Sequence, residues 1–259
     1  MGDNRLGRLP KTMRWRQVVA LLDASPEDTG AVAGAVVQAA EQRLRELAND
    51  PALAEAFRVL TRLTWASRGP TFLNELRALG IDAREGTSAL SVIAELGDRI
   101  RAESAADRPE GYFREVAALA LRSALTGTVG QQGLSLFGSS VEDLRRAFRV
   151  YSTRERFGEL ARRFFSDFMS RSMRSFVDRE LANHIGPAAH LATVSDSQEF
   201  LAALQTHTWQ SALIVEEFAG GWHSKRNWET GGDVSVDDSQ RFVAVALRKL
   251  RSELRAGAT

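Results

Sequence analysis

At 259 residues, with 44% hydrophobic and 26% charged residues, the chain can bury a sizeable core and has neither a disordered nor a fibrous composition. A net charge of +1 exerts no global pull toward nucleic acid or an anionic membrane. The absence of cysteine excludes disulfides, thiolate catalysis and any cysteine-based zinc site.

The first sixteen residues are polar and basic, with no apolar signal core, and Leu6 stands where a myristoylation signal wants Ser or Thr. No apolar run approaches the length of a membrane span, so a cytoplasmic location is expected. Helix punctuation then recurs along the chain. Ser25-Pro26-Glu27-Asp28 combines a cap, a first-turn proline and acids before the Ala/Val-rich stretch 27–48. Asp50-Pro51 repeats the device before 51–67, and Gly69-Pro70 opens a helix that closes near Gly80. Further helices are predicted over 88–104, after Thr87-Ser88, and over 110–126, after Pro109. Ser140-Val-Glu-Asp143 has the form of a capping box before 141–151. A helix following Ser195 should run through Phe218 to Gly220-Gly221, and Ser235 to Asp238 should open the last one, to about Arg255.

Strands of period two are absent, so the fold class is all-α, a multi-helix bundle of about ten helices. One of them, about 153–185, is very long: its only glycine is Gly158, and it ends at Asn183-His184-Ile185-Gly186-Pro187. The polar, proline-closed stretch 103–111 suggests an N-terminal helical lobe, 1–105, and a C-terminal lobe, 106–259. The helices on both sides are apolar enough to pack as a single domain instead.

Two segments interrupt the helical pattern. Residues 123–141 carry no charge, and Gly127, Gly130, Gly133 and Gly138 are expected to stop any helix there. A segment so polar yet uncharged should be tucked inside the protein or covered by a partner. The second runs from Gly220 to Gly232 and is expected to be a hinged loop. Its Trp222, His223, Lys225, Arg226 and Trp228 suit stacking on a base or docking in a groove. The alternative is that both tryptophans pin the loop to the body.

On the long helix, Arg156, Glu159, Arg163, Asp167, Arg171, Arg174 and Asp178 share one broad face. Opposite charges four apart predict a solvated, ion-paired surface. The opposite face is apolar through Phe157, Ala161, Phe164, Phe165 and Phe168, then turns polar at Ser172, Ser175, Arg179 and Asn183. Polar groups continuing a buried stripe need partners or a cavity to line. Otherwise the apolar face drifts toward Met173, Phe176 and Val177.

The segment Arg179-Glu-Leu-Ala-Asn-His184 resembles the Arg, four residues, His motif of the HEPN superfamily of all-helical ribonucleases and nucleotide-binding domains. That resemblance implies a metal-independent ribonuclease or toxin, commonly dimeric, with His184 as general acid/base and Arg179 stabilising the scissile phosphate. It covers six residues, and Glu180 stands where the family tends to have Asn, Asp or His.

No histidine–carboxylate set has metal-ligand spacing, and no glycine-rich phosphate loop or nucleophile elbow occurs, so no metal and no cofactor are expected. The charge is uneven along the chain. Arg5, Arg8, Lys11, Arg14 and Arg16 crowd one end and Arg241, Arg248, Lys249, Arg251 and Arg255 the other. Between Arg179 and Lys225 there is no basic residue except histidine, while Glu180, Asp196, Glu199, Glu216 and Glu217 fall there. Such a dipolar surface suits protein partners or self-association. Only three of the 34 basic residues are lysine, a bias expected of a GC-rich bacterial genome. The leading expectation is a helical interaction subunit or adaptor of a bacterial multiprotein system. Its alternatives are the HEPN-like ribonuclease and a helical nucleic-acid-binding protein.

Overall fold

The computed structural model describes residues 17–18, 20–21, 28–40, 44–45, 47–103, 112–131, 139–181 and 194–256. These hold ten helices: α1 (Thr29–Ala39), α2 (Pro51–Ala66), α3 (Phe72–Ala78), α4 (Ala89–Glu103), α5 (Tyr112–Gln131), α6 (Val141–Val150), α7 (Arg154–Leu181), α8 (Val194–Ser211), α9 (Leu213–Thr230) and α10 (Val236–Ala256). Among the described residues the fold is all-α, with no strand and a single isolated bridge between Ser88 and Ser140.

Where local capping chemistry sets a boundary, the helices begin as the sequence predicts. Asp50 accepts hydrogen bonds from the Ala52 and Leu53 amides, and Pro51 follows at the first helical position. Ser140 and Asp143 form the capping box of α6. The bridge beside it ties two helix starts together, since the Ala89 amide donates to Ser139 and the Val141 amide to Thr87. The cap of α1 is Asp28 rather than Ser25, its carboxylate accepting from the Ala31 amide.

Two boundaries depart from expectation. Helix α5 runs straight through Gly127 and Gly130 to Gln131, so these glycines do not stop it; residues 132–138 lie outside the described residues. The segment 220–232 is no loop. The chain breaks at Ala212, between α8 and α9, and α9 then continues through Gly220-Gly221 to a left-handed cap at Gly231. The glycine pair serves packing instead of termination. A Cβ at position 220 would overlap the Arg154 carbonyl oxygen, and one at Gly158 would come within 2.6 Å of the Glu216 carbonyl oxygen. Helices α7 and α9 therefore meet backbone to backbone, and they form the most extensively packed pair in the fold.

Phe157, Phe164, Phe165 and Phe168 of α7 are fully buried, as their spacing predicts. Their hub is Phe57 of α2. Its ring lies 5.4 Å from Phe165, 5.5 Å from Trp222 and 4.6 Å from Phe242, the last pair stacked within 4°. One ring thus joins α2, α7, α9 and α10. Most of the buried apolar residues, from Val18 to Leu254, form one continuous cluster. Helices α4 and α5 pack together across the stretch suggested as a lobe boundary, linked by Arg101, which donates twice to Glu115 at 2.6 and 3.0 Å. Residues 104–111 themselves lie outside the described residues. No helix among the described residues is long and apolar enough to cross a membrane.

Replacing Gly220 with alanine tests the α7–α9 contact. Helix propensity alone would favour alanine by about 1 kcal/mol. The overlap with a backbone carbonyl should outweigh this and destabilise the protein by about 2–3 kcal/mol, read as a lowered urea midpoint at unchanged slope.

Candidate functional site

Because α9 is a helix, the residues expected to share a loop are sorted by angle. Taking Gly220, which faces α7, as the origin and 100° per residue, Trp222, Arg226, Ala219 and His223 fall on the arc toward the core. Glu217, Ser224, Lys225 and Trp228 fall on an arc about 100° wide that faces solvent, and all four are exposed. Trp222 packs on Phe57 and Phe242, at 5.5 and 4.5 Å between ring centroids. Trp222 and His223 therefore form no exposed recognition element; the close α7–α9 approach turns them inward.

His223 is fully buried, stacked 3.8 Å from Phe157 and 5.0 Å from Trp65. The Thr64 hydroxyl donates to the Thr61 carbonyl, so at 3.2 Å it accepts from His223 Nε2, which fixes the tautomer. Nδ1 is left as a bare acceptor with no partner among the described residues. Burial, and secondarily the nearby Arg68 guanidinium, pushes the imidazole pKa from its ordinary 6.5 down to about 3. It is a neutral core residue, unsuited to acid/base work near neutrality.

The solvent arc keeps the rest. Trp228 is 86% exposed. Lys225 lies 3.7 Å from Glu229, and Arg226 is tied to Glu229 at 3.3 Å and to Asp238 of α10 at 3.1 Å. Arg226 therefore braces α9 against α10, while Lys225 and Trp228 face outward.

The two serines of the polar stripe of α7 are satisfied by the helix's own backbone. Ser172 Oγ donates to the Phe168 carbonyl and Ser175 Oγ to the Ser172 carbonyl, each at 2.8 Å. Met173 and Val177 are fully buried beside them, so the apolar face drifts across the helix. Arg179 stands in the last turn of α7, and Asn183 and His184 lie outside the described residues.

The charged face of α7 is solvated at Arg156 and Arg174, as its spacing predicts, but not along its middle. Arg156 pairs with Glu159 at 2.8 Å and Arg171 with Asp167 at 2.7 Å, but Arg163 joins neither acid. The middle of this face instead forms one wall of a cleft of about 660 Å³. Helix α5 contributes Arg122, Ser123, Thr126 and Gly127; α7 contributes Arg163, Ser166, Asp167 and Arg171; α8 contributes Gln205 and Trp209. Part of the uncharged segment thus lines a cavity, while its Ala124, Leu125 and Thr128 are buried. The Trp209 ring is backed by Arg162, whose guanidinium lies 4.1 Å from its centroid and pairs with Glu216 at 2.9 Å. Among the described residues no group of three or more histidines and carboxylates could hold a metal ion. Comparison with family models, curated proteins and solved structures finds no match to this chain.

An i,i+4 charge pattern describes a helix in isolation, so it does not reveal this cleft. The available signal was Gly127 opposite a helix rich in arginine.

The buried imidazole makes a pH prediction. Unfolded His223 gains a proton below about pH 6.5, but folded His223 resists until about pH 3. Its contribution to stability is therefore fully present above 6.5 and is lost as the pH falls toward 3. Urea unfolding at pH 7, 5 and 4 should show the His223→Phe variant losing less stability across this range than the parent protein.

Proposed function

We propose that this chain is a helical interaction subunit of a bacterial multiprotein system, and that the outer end of α9 is a contact surface for its protein partner. The observation that carries this reading is Trp228. Its indole is 86% exposed on a helix whose other tryptophan is built into the core. A solvent-facing tryptophan contributes little to folding, whereas a rigid aromatic beside a cation is the usual energetic anchor of a protein interface. Lys225 stands on the same solvent arc, its side chain 72% exposed. The ties of Arg226 to Glu229 and Asp238 hold this part of the helix in place, which lowers the entropy lost on docking.

The test is recovery of the tagged protein at native level from its host, alongside the Trp228→Ala and Lys225→Glu variants. The reading requires a stoichiometric partner with the parent protein. Recovery should fall about 30-fold with Trp228→Ala, the effect of a 2 kcal/mol anchor. Removing an exposed side chain should leave the unfolding free energy within about 0.5 kcal/mol of the parent. Trp222→Ala should instead destabilise the fold by about 3–5 kcal/mol. A partner held equally well by Trp228→Ala would overturn this reading.

A further inference from the structure

We propose that the cleft between α5, α7 and α8 is a binding site for a small phosphate monoester, gripped by Arg122 and Arg163. The first argument is charge. Arg122, Arg163 and Arg171 line the cleft against one carboxylate, Asp167, which Arg171 already engages at 2.7 Å. The other acids within reach are engaged too: Glu159 by Arg156, and Glu115 by two bonds from Arg101. Neither Arg122 nor Arg163 makes an ion pair among the described residues, although the Arg122 charge helps hold the Glu115 carboxyl below its usual range, and the Nε of Arg163 is buried without a hydrogen bond. Charges withdrawn from water without a counter-charge are unfavourable, and an anionic ligand removes that cost.

The second argument is that the fold makes room for these two side chains. A Cβ on Gly127 would lie 2.5 Å from Arg163 Nη1, so the guanidinium rests on the bare backbone of α5. A Cβ on Gly97 of α4 would lie 2.6 Å from Arg122 Cδ, so that stem is seated in the same manner. Both glycines sit inside helices, where alanine would be the better residue. Each is replaced at a cost in arginine position, with no backbone in the way.

The third argument is the match of ligand to site. Arginine presents a planar fork of donors suited to phosphate oxygens, and two cations without ion pairs suit a dianion. A phosphate monoester carries close to two negative charges at neutral pH. Ser123, Thr126 and Gln205 add neutral polar groups to the lining, and a volume of about 660 Å³ suits a small metabolite.

The experiment is calorimetric titration and thermal unfolding at constant ionic strength, with inorganic phosphate and glycerol 3-phosphate as probes and succinate as comparator. The parent protein should bind both phosphate probes, with a concentration-dependent rise in melting temperature, and bind succinate at least tenfold more weakly. Arg122→Ala and Arg163→Ala should each weaken phosphate binding at least tenfold. Arg84→Ala, an exposed arginine that does not line the cleft, should leave it unchanged. Gly127→Ala separates the site from the fold: its melting temperature should hold or rise while phosphate affinity falls several-fold. The proposal is overturned by absence of binding to the parent protein, by binding that survives loss of both arginines, by succinate binding as tightly as phosphate, or by a Gly127→Ala variant with parental affinity.

Discussion

The backbone contact between α7 and α9 at Gly158 and Gly220 is the constraint on which the rest of the arrangement depends. With glycine at both positions, each helix presents its bare backbone to the other's carbonyl oxygens. That closeness brings Phe157, the neighbour of Gly158, to 3.8 Å from the His223 ring. It fixes the rotation of α9 as well. Once position 220 faces α7, the 100° step sends Trp222 and His223 to the core side and Trp228 to solvent. A larger residue at either position would separate the helices and open the Phe57 cluster, which has ring contacts to both.

Much of the fold was legible because local chemistry specifies it. Asp50-Pro51 and the Ser140–Asp143 box act within one turn of themselves, so reading them needs no knowledge of the tertiary structure. The phenylalanine stripe of α7 was legible for a related reason, since a buried face must repeat at helical spacing. Glycine is ambiguous in sequence. In isolation a glycine pair weakens a helix by about 1 kcal/mol per residue, which makes Gly220-Gly221 look like a stop. In the folded chain the lost propensity is offset by the packing that a missing Cβ permits, a property of two segments about sixty residues apart. No window along one strand of sequence contains it.

The candidate site was less legible than the fold. Trp222, His223, Lys225, Arg226 and Trp228 are adjacent in sequence, and as a loop they would share one surface. As a helix they occupy opposite sides, and only Lys225 and Trp228 keep the outward position that recognition needs. The arginines of α7 show the converse error. Arg163 stands four residues from both Glu159 and Asp167, so a helix considered alone pairs it twice over. Packing against α5 and α8 withdraws that face from solvent, and Arg156 and Arg171 take the two acids first.

The glycines of this fold therefore divide by what they admit. Gly158 and Gly220 admit backbone, and the stabilisation comes from helix packing, so their side-chain-free state is explained by folding alone. Gly97 and Gly127 admit the side chains of Arg122 and Arg163, whose stems pack on the bare backbone but which make no ion pair among the described residues. Alanine at Gly127 would gain helix propensity and displace chiefly the far end of Arg163, whereas at Gly97 it would have to shift the Arg122 stem at Cγ and Cδ. What the two glycines secure is the position of two cations at the edge of a cleft, and position, rather than stability, is what a binding site requires.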